Sequence, residues 1–556
     1  MAQSKKLEDF LNPNKQPDLL ATDLASLQIE VPTLNIDQLK SLGLDFEDVF
    51  EYSFPDEVEE QTIVEIGQVV YIGDGVCKIK GITQARVEDM IDIRTESGIE
   101  KVLVLGMDEN LVETVVLGDY SKIKKGDQAV TTNERLVVPV GENLLGRVIN
   151  PLGQPLDGKG KVESDTWRPV EFPGPPVMAR EPIYEPMHTG IMVIDATIPV
   201  GRGQRELVIG DRKTGKTRTV LDAISNQKGQ DVYCIYVGVG IQAAKAKEAV
   251  NLLTRRGAME FTTVVLALSD DPPSLQYIAP YVGAALGEYF MYQGKHVLIA
   301  YDDLSKQAKA YRQVSLLLKR SPGRDAYPGD IFFLHSRLLE RAAKLHTRLG
   351  AGSMTALPVA ETQSGDVSEY IITNLMSITD GHIYLDANMM HEGILPAVNS
   401  GLSVSRIGGK VQTPLLRKVG ELTGRQLARY NEVKSFETIN TEVAEETLRE
   451  IRRGKHVLEM LAQDSSISLS ADEEVLLLAL VTSGRLDNVE LIEMGDFKQK
   501  FLEFYRSQDR TEFKNKCNTA KKLEEIDPLI DQMVEQFRAK VPQFASSITT
   551  LSGVGK

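Results

Sequence analysis

Cysteine is scarce in this sequence. The three cysteines, Cys77, Cys234 and Cys517, lie far apart among 556 residues, and none has the CxxC spacing of a metal or redox pair. Structural disulfides belong to oxidising compartments and zinc ribbons need closely spaced thiolates. The cysteine pattern therefore indicates a reducing compartment and predicts neither a disulfide framework nor a zinc site.

The sequence also lacks long apolar runs and an excess of positive charge. No run approaches the roughly 20 apolar residues of a membrane helix. The N-terminus has no secretory apolar region, and its acidic residues argue against an organelle transit peptide. The net charge of −16 disfavours a nucleic-acid partner, because phosphate contacts need a basic surface.

What the chain does contain is a phosphate-binding pattern, Gly-x-x-x-x-Gly-Lys-Thr, directly after a short apolar run. Its glycines let backbone N–H groups approach phosphate oxygens, and the helix predicted over 217–226 turns its positive end toward the same anion. Lys216 would supply charge for the outer phosphates and Thr217 a hydroxyl ligand for Mg²⁺. We therefore predict that ATP or ADP binds at Gly210, Asp211, Arg212, Lys213, Thr214, Gly215, Lys216 and Thr217.

A second predicted strand, residues 297–301, ends in two carboxylates, Asp302 and Asp303. Many strands end in Asp-Asp as simple turn chemistry. Beside a phosphate-binding loop, however, an acid at a strand end is the group that holds Mg²⁺ through water. We therefore predict Asp302 and Thr217 as the metal-binding residues.

The patterning divides the chain into four segments, and the length is sufficient for about three domains. Residues 1–60 are an acidic extension in which 37–54 is either an amphipathic helix for a partner or loosely ordered surface. Residues 61–140 carry short β-branched runs, typical of a β-barrel. Residues 141–411 alternate strands with helices, which predicts a parallel sheet, and the Leu-rich, charged residues 412–556 predict a helical bundle. The fold class is thus α/β multidomain.

Several long motifs resemble the alpha subunit of the F-type ATP synthase. They are residues 201–207 (GRGQREL), the phosphate-binding loop, residues 301–307 (YDDLSKQ), 327–330 (YPGD) and 396–406 (PAVNSGLSVSR). The likeness runs from about residue 60 into the C-terminal helices and is strongest between 140 and 411. It implies a β-barrel crown, a RecA-like nucleotide-binding domain and a rotor-facing helical domain.

The resemblance also implies partners and a place in the cell. Such subunits alternate with beta subunits in a three-plus-three ring around a central rotor stalk (gamma), and a peripheral stalk or delta subunit contacts the N-terminus. The ring couples ATP synthesis or hydrolysis to ion translocation and is attached to the membrane only through the complex. We expect this chain at the cytoplasmic face of a bacterial plasma membrane, with residues 321–330 in the collar around the rotor.

The residue that would activate water is missing from the expected position. In hydrolytic domains of this kind, a glutamate near the end of the strand after the loop helix polarises the attacking water. The catalytic beta subunits have it in a Gly-Glu-Arg segment, and alpha subunits usually carry Gln there. The matching residue here is Ile241, which has no lone pair, and the nearby Glu248 lies well into the following helix. We predict that this chain binds nucleotide without hydrolysing it.

Arg406 is assigned the complementary role by the resemblance. It ends the Ser-Val-Ser-Arg segment that begins at Ser403, and in the family this arginine reaches into the catalytic site of the adjacent beta subunit. A guanidinium is always charged and can bind two phosphate oxygens at once, which suits a transferring phosphoryl group. We predict Arg406 as an arginine finger acting in trans and Ser403 as the residue that orients its loop.

Four further residues depart from the family pattern. Lys213 stands where the family has Gln, Leu395 replaces the Arg of Ile-Arg-Pro, and Glu437 and Thr438 replace the Ala and Gln of Phe-Ala-Gln-Phe near the adenine. We expect the phosphate grip to be retained and base recognition to differ.

Two other functions remain alternatives. One is a stand-alone RecA-like RNA translocase, which needs a catalytic glutamate and a basic channel; Ile241 and the acidic first segment argue against it. The other is a subunit of a specialised F-type-like or secretion-type rotary ATPase, which the long acidic extension and the departures leave open.

Overall fold

The computed structural model describes residues 64–108, 110–434, 445–464 and 467–551. The predictions for residues 1–60, including the segment 37–54, and for Glu437 and Thr438 lie outside the described residues. Within the described ranges, every helix is too short or too polar to span a lipid bilayer.

The first domain is a closed barrel with strand order β1-β2-β5-β4-β3-β6. Its antiparallel strands are β1 (Ile66–Gly73), β2 (Val76–Lys80), β3 (Asp89–Thr95), β4 (Gly98–Asp108), β5 (Leu111–Val116) and β6 (Gln128–Arg135). Asp74 and Gly75 form the turn between β1 and β2, both with positive φ, as a tight hairpin requires. The predicted barrel is confirmed, and alternate residues of its strands fill the interior.

The central domain is built on an eight-stranded sheet with the order β16-β15-β10-β14-β13-β11-β12-β8. Its strands are β8 (Val148–Ile149), β10 (Glu206–Gly210), β11 (Val232–Ile241), β12 (Thr262–Leu268), β13 (His296–Asp302), β14 (Ser353–Glu361), β15 (Gly381–Leu385) and β16 (Val404–Ser405). All neighbouring strands pair in parallel except β15 and β16. A separate ribbon pairs β7 (Val137–Val140) with β9 (Thr166–Pro169).

Helices cover both faces of this sheet, which is why its strands are apolar along nearly their whole length. They are α1 (Met192–Thr197), α2 (Lys216–Ser225), α3 (Ala243–Arg255), α4 (Pro273–Met291), α5 (Leu304–Leu317), α6 (Ile331–Leu339), α7 (Tyr370–Ile378) and α8 (Ala387–His391). Helix α4 lies close to the sheet through Gly283 and Gly287. A Cβ at either glycine would meet Val237 or Met354 at 2.3 or 2.5 Å.

One buried ion pair ties α4 to the segment after α6. The guanidinium of Arg341 donates to both oxygens of Glu288 at 2.7 and 2.8 Å, and Arg168 donates to the same carboxylate at 3.2 Å. Arg341 is 1% exposed and Glu288 is fully buried. Two guanidinium groups therefore satisfy a carboxylate that water does not reach.

The C-terminal part is helical, as predicted. Its helices are α9 (Pro414–Val433), α10 (Glu445–Leu461), α11 (Ala471–Thr482), α12 (Met494–Arg506), α13 (Thr511–Thr519) and α14 (Asp527–Lys540). Helix α11 begins at a capping box of Ser470 and Glu473 and is buried along almost all of its length. The core around it is continuous with that of the nucleotide-binding domain. The helical part is therefore packed against the central sheet rather than joined by a loose linker.

Candidate nucleotide site

The phosphate-binding loop follows β10 and leads into α2, as the sequence predicts. Gly210, Lys213 and Gly215 have φ angles of 157°, 66° and 99°, which bend the backbone sharply. A Cβ at Gly210 would meet the carbonyl oxygen of Leu385 at 2.5 Å, so the loop packs directly on the neighbouring strand. Helix α2 starts at Lys216 and directs its N-terminal amide groups at the space enclosed by the loop.

The ammonium group of Lys216 lies inside this loop. Its Nζ donates to the carbonyl oxygens of Gly210 at 2.8 Å and Asp211 at 2.5 Å, and the side chain is largely buried. Burial lowers the pKa of Lys216, against the opposing influence of nearby carboxylates, chiefly Glu361. Its hydrogen bonds go to neutral carbonyl groups, which leaves its charge available to an incoming phosphate.

The rest of the loop separates into anchored and exposed residues. The Oδ1 of Asp211 accepts hydrogen bonds from the Thr362 hydroxyl at 2.6 Å and the Gly365 amide at 2.8 Å. Asp211 therefore fixes the loop to the end of β14. Arg212 and Lys213 are exposed to solvent, which places two positive charges at the loop's outer side.

The two predicted metal-binding residues are in contact. The hydroxyl of Thr217 donates to Oδ2 of Asp302 at 2.7 Å, and the Tyr236 hydroxyl donates to the same oxygen at 2.8 Å. Asp302 is 7% exposed. A hydroxyl whose proton is held by a carboxylate keeps lone pairs for a cation, and this oxygen-rich pair suits Mg²⁺.

Asp303 has a different role from its neighbour. Its side chain caps α5 by accepting from the Lys306 amide at 2.7 Å. Burial raises the pKa of Asp303 to about 6, with Lys306 opposing and Asp302 adding to that shift. Asp302 is therefore the strand-end acid that is hydrogen-bonded to the loop helix, whereas Asp303 caps α5.

A cavity of about 690 Å³ opens beside the loop. The loop and α2 provide one wall through Thr214, Gly215, Arg218, Thr219 and Asp222, and the segment 395–397 provides another. The remaining walls come from 189–191 and from 462–464, Ile467 and Ser468, which precede α11. Leu395 therefore lines the cavity, as its position in the family pattern suggests. Residues 462–464, Ile467 and Ser468 were not predicted from the sequence, because only the docking of the helical part brings them here.

Ile241 is the last residue of β11 and is 5% exposed. The strand bulges just before it, and Gly240 has a φ of 55°. Ile241 belongs to the apolar core and carries no group that could accept a proton. Glu248 is exposed on α3, beyond the strand end.

Arg406 lies at the opposite end of the sheet from the phosphate-binding loop. Gly210 pairs with Leu385 at one end of β15, whereas Ser405 pairs with Gly381 at the other. Four strand residues separate these ends, roughly 13 Å at the usual rise of a strand. The Arg406 side chain is exposed and has no hydrogen bond or ion pair among the described residues.

Ser403 ties down the loop that carries Arg406. Its hydroxyl donates to the Asn399 carbonyl at 2.7 Å and accepts from the Tyr384 amide at 2.9 Å. The Ser405 hydroxyl donates to the Pro199 carbonyl at 3.0 Å. The segment is thus fixed on both sides of Val404 while the arginine that follows projects into solvent.

Comparisons with known proteins agree with these observations. A family model described as "ATP synthase alpha/beta family, nucleotide-binding domain" matches residues 190–405, and one described as "ATP synthase alpha/beta chain, C terminal domain" matches residues 412–537. The ATP synthase subunit alpha of Petrotoga mobilis is 45% identical over 488 residues, 87% of this chain and 95% of that protein.

Two further relatives show the same extent of similarity. The ATP synthase subunit alpha of Caldanaerobacter subterraneus is 46% identical over 493 residues, 88% of this chain and 96% of its own length. That of Latilactobacillus sakei is 46% identical over 480 residues, 86% and 93% of the two chains. The chain therefore belongs to the ATP synthase alpha/beta family, within which it matches the alpha subunits.

Proposed function

We propose that this chain is the non-catalytic, nucleotide-binding alpha subunit of a rotary F-type ATP synthase. It binds Mg-ATP or Mg-ADP at its own loop and lends Arg406 to the catalytic site of an adjacent beta subunit. The observation that carries the proposal is the separation between the phosphate-binding loop and Arg406. The loop and the arginine occupy opposite ends of one sheet, so one chain can face two different sites.

Nucleotide binding rests on groups already held in position. Lys216 and the amide groups at the start of α2 attract the phosphates, and the adjoining cavity has room for a nucleoside. Thr217 and Asp302 would hold Mg²⁺, which neutralises phosphate charge when bound. Lys213 and Arg212 add long-range attraction at the exposed side of the loop.

The inference that this site does not hydrolyse ATP is based on Ile241. Activation of water requires a group that accepts its proton close to the terminal phosphate. The strand that follows the loop helix ends instead in a buried aliphatic side chain. The chain's own site would therefore retain nucleotide and serve structure or regulation rather than catalysis.

The catalytic contribution of Arg406 needs a neighbour. Ser403 and Ser405 fix the backbone of the loop, so only the Arg406 side chain has to be ordered when it meets a phosphate. In other phosphoryl-transfer systems, an arginine supplied in trans raises the rate by roughly 10³–10⁵. Arg406 would stabilise the charge on the transferring phosphoryl group in the beta subunit.

The proposed assembly follows the family. Residues 61–140 form the crown of a three-plus-three ring with beta subunits, 141–411 the nucleotide-binding layer and 412–556 the rotor-facing end. The partners are the beta subunits, the central gamma stalk and a delta or peripheral-stalk subunit. The ring would lie at the cytoplasmic face of a bacterial plasma membrane and couple ATP turnover to proton transport.

The test compares the isolated chain with the native complex. The purified chain should bind fluorescent ADP in the presence of Mg²⁺ and should not release phosphate from ATP. A tagged chain purified from its own cells should bring beta and gamma subunits with it. Hydrolysis by the isolated chain at ordinary enzyme rates would refute the proposal, and co-purification with a secretion apparatus instead would favour the specialised rotary ATPase.

A further inference from the structure

Three potential metal ligands meet where the helical part packs against the nucleotide-binding domain. They are His188 in the segment before α1, Asp195 on α1 and Glu474 on α11. One nitrogen or oxygen atom from each lies within 4.8 Å of the others. We call these three residues the His-Asp-Glu cluster.

The carboxyl group of Glu474 is the unusual member of this cluster. Glu474 is fully buried, and neither of its oxygens has a hydrogen-bond donor among the described residues. It faces the carboxylate of Asp195, and Asp472, Glu473 and Lys498 also lie close enough to interact with it. A buried carboxylate is costly unless a cation or donor compensates it.

Among the described residues, the polar groups near Glu474 make their hydrogen bonds to other atoms. Asp195 accepts hydrogen bonds from the amide and hydroxyl of Thr189 at 3.0 and 2.8 Å and from the Gly190 amide at 2.9 Å. Lys498, which lies close enough to interact with Glu474, donates instead to two backbone carbonyls, those of Met460 and Ala462.

His188 completes the cluster from the solvent side. Its Nδ1 lies 3.8 Å from Oδ2 of Asp195, and its side chain is 23% exposed. The imidazole therefore offers both a ligand and a route of entry from solvent. One imidazole bound as a neutral ligand and two carboxylates balance the charge of a divalent ion, which offsets the electrostatic cost of burying Glu474.

We propose that His188, Asp195 and Glu474 bind a divalent transition-metal ion of the Zn²⁺ class. Imidazole nitrogen and carboxylate oxygen are ordinary Zn²⁺ ligands at about 2.0–2.2 Å, and the three ligand atoms need to approach one another by roughly 1 Å. The proposed ligands include no cysteine, so the cysteine spacing in the sequence could not predict this site. It is separate from the Thr217–Asp302 pair.

Such an ion would join two parts of the chain. Asp195 and His188 belong to the nucleotide-binding domain, and Glu474 lies on a helix of the C-terminal part. The residues between the first two, Thr189 and Gly190, line the cavity beside the phosphate-binding loop. The metal would therefore hold α11 against the floor of the nucleotide cavity.

The test uses the full chain, stripped of metal by a chelator and free of nucleotide and Mg²⁺. Zn²⁺ is added, excess ion is removed by gel filtration and bound zinc is counted by elemental analysis. The wild-type chain should retain one equivalent more than Glu474→Gln and His188→Gln. Gln keeps the shape of Glu474, and its amide can donate to Asp195, so this variant should fold. His391→Gln, at an exposed position of α8, is the matched control and should retain zinc like the wild type.

Two further readouts make the outcome decisive. Zn²⁺ should raise the melting temperature of the wild type and of His391→Gln but not of the two cluster variants, and Co²⁺ should give visible bands that both cluster variants lose. Equal zinc retention in wild type and both cluster variants would overturn the proposal. A protonated carboxyl band in the infrared spectrum of the zinc-treated wild type, lost in Glu474→Gln, would also overturn it, since Glu474 and Asp195 would then share a proton. If Glu474→Gln does not fold, the zinc retention of His188→Gln tests the proposal by itself, because His188 is only partly buried.

Discussion

The hydroxyl of Thr217 donates a 2.7 Å hydrogen bond to the carboxylate of Asp302, across 85 positions of sequence. Asp302 is held from the other side by the Tyr236 hydroxyl at 2.8 Å. Both oxygens are thus oriented by the protein alone. A site assembled in advance loses less conformational entropy on binding, which fits a subunit that keeps its nucleotide.

Two lysines of the same loop should differ in their effect on nucleotide binding. We expect Lys216→Gln to weaken Mg-ADP binding to the isolated chain by about 10- to 100-fold, the worth of one charged hydrogen bond. Lys213→Gln, the matched control, should weaken it by less than about 5-fold, since Lys213 is exposed. Isothermal titration calorimetry at two salt concentrations measures both. Equal losses would contradict the placement of Lys216 inside the loop.

Leu395 leaves a wall of the nucleotide cavity without charge. It is 46% exposed and lines the cavity at the position where the family usually carries arginine. We expect Leu395→Arg to tighten Mg-ADP binding about 3- to 10-fold, the worth of a partly screened charge, and less at high salt. Leu316→Arg, equally exposed at 45% on α5, is the control. An unchanged affinity in Leu395→Arg would show that this wall does not face the bound nucleotide.

Local patterns predicted the loop and brought Thr217 and Asp302 to attention, because a glycine-rich turn between strand and helix and an acid at a strand end are both visible in adjacent residues. The barrel strands β3 and β6 and the sheet strands β14 and β15 were not predicted. Strands β3 and β6 mix charged with apolar residues, and Pro358 lies inside the apolar run of β14. The cavity wall formed by 462–464, Ile467 and Ser468 and the His-Asp-Glu cluster depend on how the helical part docks, which no local sequence pattern indicates.

Glu171 should make the stability of the chain depend on pH. Burial raises the pKa of Glu171 to about 7, although Arg337 lies 3.1 Å away and opposes the shift. Between pH 4.5, the ordinary value, and pH 7, the folded state keeps this proton after the unfolded state has lost it. The free energy of unfolding should therefore fall as the pH rises through this window, by up to about 3 kcal/mol.

Replacing Glu171 isolates this contribution. Glu171→Gln cannot titrate, so the difference in free energy of unfolding between wild type and variant should change between pH 4.5 and 7 and level off above it. Urea unfolding of the isolated chain, followed by circular dichroism at four pH values, measures the difference. A difference that is constant with pH would show that Arg337 keeps Glu171 ionised.

The buried pair of Arg341 and Glu288 should be sensitive to the loss of one partner. Arg341→Met leaves the Glu288 carboxylate buried with only the Arg168 contact at 3.2 Å. We expect the free energy of unfolding to fall by about 3–5 kcal/mol. Arg324→Met, at an arginine that is 66% exposed, should change it by less than about 0.5 kcal/mol. Urea unfolding compares the two, and a loss below about 1 kcal/mol in Arg341→Met would contradict the burial of the pair.

Arg406 provides the sharpest test of the proposal that one end of the sheet binds the chain's own nucleotide and the other end serves a neighbouring subunit. Lysine keeps the charge of Arg406 but cannot bind two phosphate oxygens in one plane. We expect Arg406→Lys to lower ATP hydrolysis by the assembled complex about 10³-fold. Binding of Mg-ADP to the isolated chain should not change, because the loop lies roughly 13 Å away along the strands.

The control for this prediction is Arg417→Lys, on α9 and 57% exposed. It should assemble and hydrolyse ATP like the wild type. Gel filtration confirms that both variants form the ring, and phosphate release gives their turnover. Near-normal turnover in an intact Arg406→Lys ring would remove the arginine-finger assignment. A loss of nucleotide binding by the isolated Arg406→Lys chain would instead mean that this side chain serves its own subunit, because only a contact within one chain can change binding when no neighbour is present.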